Sequence, residues 1–363
     1  MGTVGTFLIT ALIFGILIFV HELGHFIACR IFGVKVNEFA IGMGPKILSK
    51  RSKKSGTVYS LRLFPIGGFN SIEDGLEEFT DENGKTSVRV KEVMPEDAFP
   101  TKAVWKRIII IAAGAIMNFL LGFIIMTVIV IGTKYYGSTT LAYFVDENNP
   151  EAKIEEFQGL KRGDQVIKVG NRYVHTDEEF VYSIFANGDE PVDIVVKRGG
   201  EKVTVPSVKF PTKEEQGITY GVVNFKVYTE EKNFANTVKR AFFGSVNAIT
   251  QVTDSLKGMI TGKYGLQHIS GPIGVGEAIG QAAKFGLNSV LNIAVVLSMN
   301  LGVFNLLPFP GLDGGKLIFL AIEGIIRRPI PRKIEETATF IGITALMALI
   351  VLVAFKDVFA LLL

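Results

Sequence analysis

The most constraining feature of the chain is the sequence His-Glu-Leu-Gly-His, from His21 to His25, at the end of a long apolar run. The run extends from Val4 to Val20 and predicts a helix that crosses a membrane. Histidines at this spacing lie one turn apart on one helix face and can share a Zn²⁺ ion, while the adjacent Glu22 is placed to act as a general base. Ionisable residues in a transmembrane helix indicate function; the alternative is a histidine pair that packs against a neighbouring helix.

Composition places this helix in a protein with several spans. Of the 363 residues, 48% are hydrophobic and 20% are charged, and mean hydropathy is +0.36, which is typical of a polytopic membrane protein with aqueous parts. The net charge of +3 does not indicate nucleic-acid binding, and the single cysteine excludes an internal disulfide. Segments with the roughly 20 apolar residues that a span requires are Thr3–Ile31, Ile108–Thr133, Val290–Leu307 and Thr337–Ala354.

Lysine and arginine residues predict the orientation of these spans, because cytoplasmic loops are enriched in them. Basic residues follow the first span and lie between the third and fourth spans, so both loops are predicted to be cytoplasmic. The N-terminus and the region between the second and third spans are then extracytoplasmic. This orientation places His21 and His25 in the cytoplasmic half of the first span.

The third span ends on the same side of the membrane, in a sequence rich in proline and glycine that contains Asp313. Irregular backbone at membrane depth is tolerated where it is buried in protein or lines a watery cavity. Asp313 is therefore the candidate third ligand of a site with one position open for water. The alternative is a turn-forming aspartate beside Gly314 and Gly315.

The segment Gly56–Phe69 alternates apolar and polar residues and then reaches Gly67 and Gly68, which predicts a β-hairpin that dips towards the membrane. An exposed strand edge could hold an unwound substrate in extended form, and the alternative is a plain cytosolic hairpin. The acidic stretch Glu73–Asp97 is predicted to be a solvated loop.

Two further residues on the predicted helices are candidate parts of the site. Asn118 is the strongly polar side chain of the second span, where it could hydrogen-bond an unwound substrate or join two helices. Cys29 continues the helix face of His21 and His25, but a fourth protein ligand would exclude water from the metal. Cys29 is therefore predicted to be a small apolar core residue.

The chain contains four notable motifs: HELGH, NLLPFPGLDGG, AFPTKAVWKR with AAGAIMNF, and HISGPIG. Together they resemble those of the site-2 proteases, intramembrane zinc metalloproteases, and within them the bacterial PDZ-containing branch that cleaves anti-sigma factors. The chain departs from the usual pattern at Ala115, Phe309 and Gly311, none of which is a presumed ligand. The resemblance implies that His21, His25 and Asp313 bind one Zn²⁺ per chain and that Glu22 is the catalytic base. It also implies that Asn118, Asn305, Pro308 and Pro310 shape the substrate site, and that the hairpin is a membrane-associated β-region beside the active site.

The region between the second and third spans contains short alternating strands, and its sequence from Gly159 to Ile167 resembles the strand entry of bacterial PDZ domains. Such a domain could capture a peptide by strand addition or exclude full-length proteins by size. From Phe234 to Gly262 the pattern predicts an amphipathic helix that lies on a surface.

The predicted fold class is a polytopic α-helical membrane protein with about four transmembrane helices, a membrane-associated β-hairpin region and one inserted extracytoplasmic α+β PDZ domain. Its predicted parts are residues 1–33 (first transmembrane helix with the metal motif), 34–104 (cytoplasmic segment with the hairpin), 105–134 (second transmembrane helix), 135–212 (PDZ domain), 213–285 (amphipathic region), 286–307 (third transmembrane helix), 308–335 (cytoplasmic-side loop with Asp313) and 336–363 (fourth transmembrane helix).

The predicted function is cleavage of the transmembrane segment of single-span membrane proteins, of the anti-sigma factor type, after a first extracytoplasmic cut. The predicted location is a bacterial cytoplasmic membrane, with the active site towards the cytoplasm. Two alternatives remain open: removal of remnant signal peptides by the same chemistry, and a non-catalytic PDZ receptor or metal-binding protein. Other predicted partners are membrane lipid and a peptide ligand of the PDZ domain; nucleic acid is not among them.

Overall fold

The computed structural model describes residues 3–80, 86–91, 93–146, 152–215, 217–265 and 269–362. The chain forms two compact units, of which the first comprises Met1–Gly122 with Gly265–Leu363 and the second comprises Phe123–Tyr264.

The helices are α1 (Thr3–Ile31), α2 (Val104–Gly132), α3 (Asp177–Asn187), α4 (Phe234–Ile260), α5 (Pro272–Phe285), α6 (Leu287–Asn305), α7 (Asp313–Ile326) and α8 (Arg332–Leu362). The strands are β1 (Val36–Arg51), β2 (Val58–Ile72), β3 (Leu76–Thr80), β4 (Thr86–Val90), β5 (Tyr136–Val145), β6 (Lys153–Ile154), β7 (Glu156–Phe157), β8 (Leu160–Lys161), β9 (Gln165–Val169), β10 (Arg172–Tyr173), β11 (Val192–Arg198), β12 (Glu201–Val208), β13 (Thr212–Glu215), β14 (Ile218–Gly221) and β15 (Phe225–Glu230).

Four of the described helices, α1, α2, α6 and α8, are long and apolar enough to cross a membrane. They contain the segments Val4–Ile31, Val104–Gly132, Leu287–Asn305 and Arg332–Phe359. The prediction of about four such helices together with β-structure is confirmed. The predicted bounds of the second, third and fourth spans differ by a few residues from those of α2, α6 and α8. Hydropathy alone does not include the flanking residues into which a helix continues.

Three parts of the first unit differ from the prediction. Residues 308–335, predicted as a loop, contain α7, whose first residue is Asp313. An aspartate in the first turn is favourable at the positive end of the helix dipole, so the same residue that suggested a turn also begins a helix. The stretch Glu73–Asp97, predicted as a solvated loop, contains β3 and β4, and Glu73 is buried beside Lys91. Helix α5 was not predicted.

Helix α5 packs against α1 through small residues. Cβ atoms built on Gly276 and Gly280 would lie 3.8 Å from Thr10 Oγ1 and 2.8 Å from Thr6 Cγ2, so glycine at position 280 permits the close approach. The Asp357 carboxylate of α8 accepts the Gly274 N–H at 3.0 Å and thereby caps the first turn of α5.

Strands β1 and β2 form a two-stranded sheet in which each strand is bent, so that residues 38–41 lie beside both 58–61 and 68–71. The Glu38 carboxylate holds the bend, because it accepts hydrogen bonds from Lys46, Ser60 and Arg62 at 2.9, 2.5 and 2.8 Å. Burial raises the pKa of Glu38, but these three hydrogen bonds outweigh it and lower the pKa to about 2.

The second unit is built on a sheet in the order β12-β11-β9-β5-β15, with α3 beside it. Its core contains the inward-facing apolar residues of these elements, among them Leu141, Phe144, Val166, Phe180, Ile194 and Phe225. Thr176 and Glu179 form a capping box at the start of α3. The edge strand β15 lies beyond residue 212, so the sheet extends past the predicted domain boundary; the alternation in residues 225–230 was not recognised as a strand.

Helix α4 spans almost all of the predicted amphipathic segment and contacts α3 within the second unit. The Tyr182 hydroxyl donates to Asp254 at 2.9 Å, and the His175 ring stacks on Phe243 with centroids 3.8 Å apart. These contacts attach α4 to α3.

Candidate active site

The site forms where α1 and α2 pack closely together, and glycine makes this approach possible. A Cβ atom on Gly24 would lie 2.3 Å from the Ala113 carbonyl oxygen, and one on Gly114 would lie 2.4 Å from His25 Nε2. Any larger residue at these positions would push the helices apart or enter the space between the histidines. The two imidazoles therefore face α2 at a point where the two helices are close together.

Helix α7 places Asp313 opposite the two histidines. Cβ atoms on Gly314 and Gly315 would lie 2.1 Å from the Leu307 carbonyl oxygen and 2.5 Å from the Phe309 carbonyl oxygen. The glycine pair after Asp313 is therefore required for the first turn of α7 to pack on the preceding turn.

His21, His25 and Asp313 bring three potential metal-ligand atoms together. Asp313 Oδ2 lies 3.2 Å from His21 Nε2 and 3.2 Å from His25 Nε2, and the two Nε2 atoms are also 3.2 Å apart. Burial raises the pKa of the Asp313 carboxyl group, but the two imidazoles beside it outweigh this effect, and the net pKa lies below its ordinary value.

This triangle fits a zinc ion. Tetrahedral Zn²⁺ has ligands at about 2.0–2.1 Å, for which the distance between neighbouring ligand atoms is about 3.3–3.4 Å. Asp313 Oδ2 is buried, and no hydrogen-bond donor in the described part of the chain satisfies it. Two imidazoles and one carboxylate, with a fourth position left for water, form a donor set found in zinc peptidases.

The outer nitrogens of both histidines have partners in α2. His25 Nδ1 lies 2.8 Å from the Ile110 carbonyl oxygen, an acceptor that places the proton on Nδ1 and leaves Nε2 free to bind metal. His21 Nδ1 lies 3.1 Å from Asn118 Nδ2, while Asn118 Oδ1 is buried and has no hydrogen-bond partner among the described residues. A rotation of this amide by 180° exchanges the two atoms, so that His21 Nδ1–H donates to Asn118 Oδ1 and both histidines present Nε2.

Glu22 faces the sheet rather than α2. Asn70 Nδ2 of strand β2 donates to Glu22 Oε2 and to the Glu22 carbonyl oxygen, both at 2.7 Å. A Cβ atom on Gly68 would lie 3.2 Å from Glu22 Cγ, so this glycine lets the strand pass close to α1. The strand thereby holds the Glu22 carboxylate in one orientation.

The structure brings several other predicted site residues to this centre. Asn118 is fully buried against His21, and Asn305 Nδ2 lies 3.5 Å from His21 Nδ1. Gly68 lies beside Glu22, whereas Gly67 packs on Met43 with φ +87°.

The remaining predicted site residues lie elsewhere in the first unit. Pro308 is exposed in the turn between α6 and α7, and the backbone of Pro310 lies against Gly315 and Gly342. Cys29 is fully buried in an apolar cluster with Ala28, Val34, Val36 and Ile110, as expected of a core residue.

Sequence reasoning missed Asn70, Ile110 and Gly114. Asn70 follows the predicted glycine pair by two residues and is separated from Glu22 by 48 residues, so no spacing rule connects them. Gly114 has no signal in the sequence beyond being a small residue on the same helix as Asn118. The Ile110 contact uses a backbone oxygen and has no side-chain signal.

Comparison with known proteins identifies the family. The sequence profile of peptidase family M50 matches residues 9–349. The chain therefore belongs to peptidase family M50, the site-2 protease family, and the predicted membership is confirmed.

Relatives match over nearly the whole chain. The Regulator of sigma-W protease RasP of Bacillus subtilis is 31% identical, with 98% of each chain covered. The Zinc metalloprotease RasP of Geobacillus kaustophilus is 30% identical, with 95% of this chain and 96% of that protein covered. A relative from Clostridium perfringens is 34% identical, with 96% of each chain covered.

Proposed function

We propose that this member of family M50 is an intramembrane zinc endopeptidase that cuts the transmembrane segments of single-span membrane proteins. The chain is a zinc metalloprotease by family and by the names of its relatives. The observation that carries the finer proposal is the triangle of His21, His25 and Asp313 at 3.2 Å. Its two histidines flank Glu22 in the sequence and lie on a helix long and apolar enough to cross a membrane.

His21 Nε2, His25 Nε2 and Asp313 Oδ2 would hold the zinc ion. When bound, zinc polarises the scissile carbonyl and lowers the pKa of a water molecule. Glu22 would accept a proton from water at its carboxylate and return it to the leaving amine. Asn70 keeps that carboxylate in place through its hydrogen bond to Oε2. Asn118 and the Ile110 carbonyl orient the two imidazoles.

The substrate would bind in extended form along the strand that contains Gly67 and Gly68. A helical transmembrane segment has its carbonyl groups hydrogen-bonded internally and must unwind before hydrolysis. A strand edge can replace those hydrogen bonds by β-augmentation. The position of Gly68 beside Glu22 supports this path. Asn305, whose Nδ2 lies 3.5 Å from His21 Nδ1, would line it, and Pro308 and Pro310 would help to shape it through the turn that leads to Asp313.

The sheet of the second unit supports a PDZ domain, because it has an open edge strand, β15, in the same unit as α3. Asp164, within the segment from Gly159 to Ile167 that resembles a PDZ strand entry, accepts the Lys161 N–H at 2.8 Å and pairs with Arg198, which explains the need for aspartate at this position. The domain would be extracytoplasmic and would either capture a peptide or exclude bulky proteins. The protein would reside in the cytoplasmic membrane, with its zinc site towards the cytoplasm.

The substrate class is proposed from the relative in Bacillus subtilis, whose name describes a regulator of sigma-W. Anti-sigma factors already cut outside the membrane would be the substrates. Clearance of remnant signal peptides uses the same chemistry and remains the second candidate. A receptor without catalysis is disfavoured, because metal binding alone does not require the ordered carboxylate of Glu22.

The test is Glu22→Gln in the full-length protein, co-expressed with a single-span substrate. Cleavage should be abolished while zinc content stays at one ion per chain. Glu277→Gln, at an exposed position on α5, is the matched control and should cleave normally. Undiminished cleavage by Glu22→Gln would reject the proposed mechanism.

A further inference from the structure

A groove of about 620 Å³ lies between α1 and the β1–β2 sheet. Its wall on α1 is formed by Phe19, Leu23 and Phe26. The sheet supplies Phe39, Ile41, Leu48, Ser49, Lys50, Tyr59, Ser60 and Leu61. The volume is within the usual range of small-ligand sites, and the lining is predominantly apolar and aromatic.

The groove is separate from the zinc site. Leu23 is two residues from His21 and two from His25, which corresponds to a rotation of about 200° around the helix. The groove therefore faces away from the histidines, on the opposite side of α1. A molecule bound there would not contact the reacting atoms.

The apolar part of the groove is open. Leu48 and Leu61 are 65% and 42% exposed, although such side chains are normally buried in water-soluble sheets. They lie on a sheet that packs against a helix long and apolar enough to cross a membrane. A hydrocarbon chain is the natural neighbour of such a surface.

The chain around Lys50, which lines the groove, is strongly cationic. Residues 39–72 contain no aspartate or glutamate, but they contain six basic residues, namely Lys46, Lys50, Arg51, Lys53, Lys54 and Arg62. Glu38 pairs with Lys46 and Arg62. Within the described part of the chain, no carboxylate forms an ion pair with the other four, of which Lys50 lines the groove itself.

We infer that this groove binds one anionic glycerophospholipid. An acyl chain lies between α1 and the sheet, and the phosphate group lies against Lys50, Arg51, Lys53 and Lys54. The arrangement of an apolar slot ending in unpaired cations matches an amphiphile with a hydrocarbon tail and a negative head. An apolar transmembrane peptide could occupy the groove, but it would bring no negative charge to these cations.

A lipid in this position joins α1 to the sheet. The same sheet contains Asn70, which orients Glu22. The lipid therefore stabilises the strand that holds the catalytic carboxylate, without contact with the metal site.

The test is native mass spectrometry of the delipidated full-length protein in detergent, titrated with dioleoyl phosphatidylglycerol or dioleoyl phosphatidylcholine. The first phosphatidylglycerol should bind at least about tenfold more tightly than phosphatidylcholine. The triple variant Lys50→Gln, Lys53→Gln, Lys54→Gln should reduce this preference to near unity. The variant Ser49→Phe, which fills the groove and leaves every charge in place, should weaken the binding of both lipids.

The matched control removes three charges elsewhere, by Lys106→Gln, Arg328→Gln and Lys333→Gln, and should keep the preference. Equal loss in the control would show general electrostatic attraction and would overturn a specific site. Unchanged binding in Ser49→Phe would overturn the acyl-chain position. Displacement of phosphatidylglycerol by an equimolar synthetic transmembrane peptide would make the groove a peptide site and would also reject the inference.

Discussion

Asn70 and Glu22 are joined by two hydrogen bonds of 2.7 Å, in which one side-chain amide nitrogen contacts both the carboxylate and the backbone carbonyl of the glutamate. The contact links a strand of the sheet to the helix that contains the histidine pair. It holds the Glu22 side chain in one position on α1 and also holds strand β2 against α1. In the proposed mechanism, substrate positioning and proton transfer would therefore depend on the same pair of elements.

Replacement of Asn70 by alanine should reduce kcat about 10- to 100-fold, because the Glu22 carboxylate loses the donor that orients it. Zinc content should remain unchanged, since the hydrogen bonds of Asn70 go to Glu22 and not to the proposed zinc ligands. Both quantities can be measured on purified protein with a single-span substrate. Ser71→Ala, on the next residue of the strand, is the control, and an equal loss there would point to general damage to the sheet.

Replacement of Gly114 by alanine should abolish zinc binding. The new Cβ atom would lie 2.4 Å from His25 Nε2 and 2.6 Å from His21 Cε1, which is closer than real contacts allow. Zinc per chain, measured by elemental analysis, should fall well below one. Gly132→Ala, on the same helix with no atom within 4 Å of its Cβ position, should retain zinc. Full zinc occupancy in Gly114→Ala would contradict the described spacing of α1 and α2.

Asn118 should control zinc affinity through the His21 Nδ1 proton. Asn118→Leu removes the acceptor and should weaken zinc binding about 10- to 100-fold in a chelator competition. Asn118→Asp keeps an oxygen at the same place and should retain affinity. If both variants bind zinc as the wild type does, then Asn118 serves the substrate or the helix contact that the sequence first suggested.

The stability of the bent sheet should decrease in acid because of Glu38, which lies outside the four candidate spans. Its folded-state pKa of about 2 is below the ordinary value of 4.5, so its contribution is complete above about pH 4.5 and is lost as pH falls towards 2. Hydrogen exchange of residues 38–72, corrected for intrinsic rates, should show strong protection at pH 6 and much less at pH 2.5. In Glu38→Gln the protection should be lower at pH 6 and should depend little on pH in this range. Equal protection at both pH values in the wild type would exclude this role.

Local patterns predicted the local parts of the structure. The apolar runs indicated the spans, and the spacing of His21 and His25 indicated the paired imidazoles, because both depend on one helix. Asp313 was predicted as the third ligand from topology and motif, yet α7 was not predicted. The Pro- and Gly-rich approach to Asp313 resembles a loop until its packing against the first turn of the helix is known.

The contacts that orient the site could not be predicted, because they join distant parts of the chain. Asn70 reaches Glu22 only because β1 and β2 are bent around Glu38, and alternation in sequence does not reveal such a bend. Gly114 has its role because a particular face of α2 opposes the histidines. The edge strand β15 was missed because it is short and follows an irregular region.

The three ligand atoms around the proposed zinc position come from distant parts of the chain, because Asp313 follows His25 by 288 residues. At about 5–20 residues per second, translation needs roughly 15–60 s to pass from the second histidine to the aspartate. During that interval the nascent chain has its histidine pair and Glu22 in place but lacks the carboxylate. In the proposed mechanism, a newly made chain would therefore be inactive towards its neighbours until three of its four candidate spans have been synthesised.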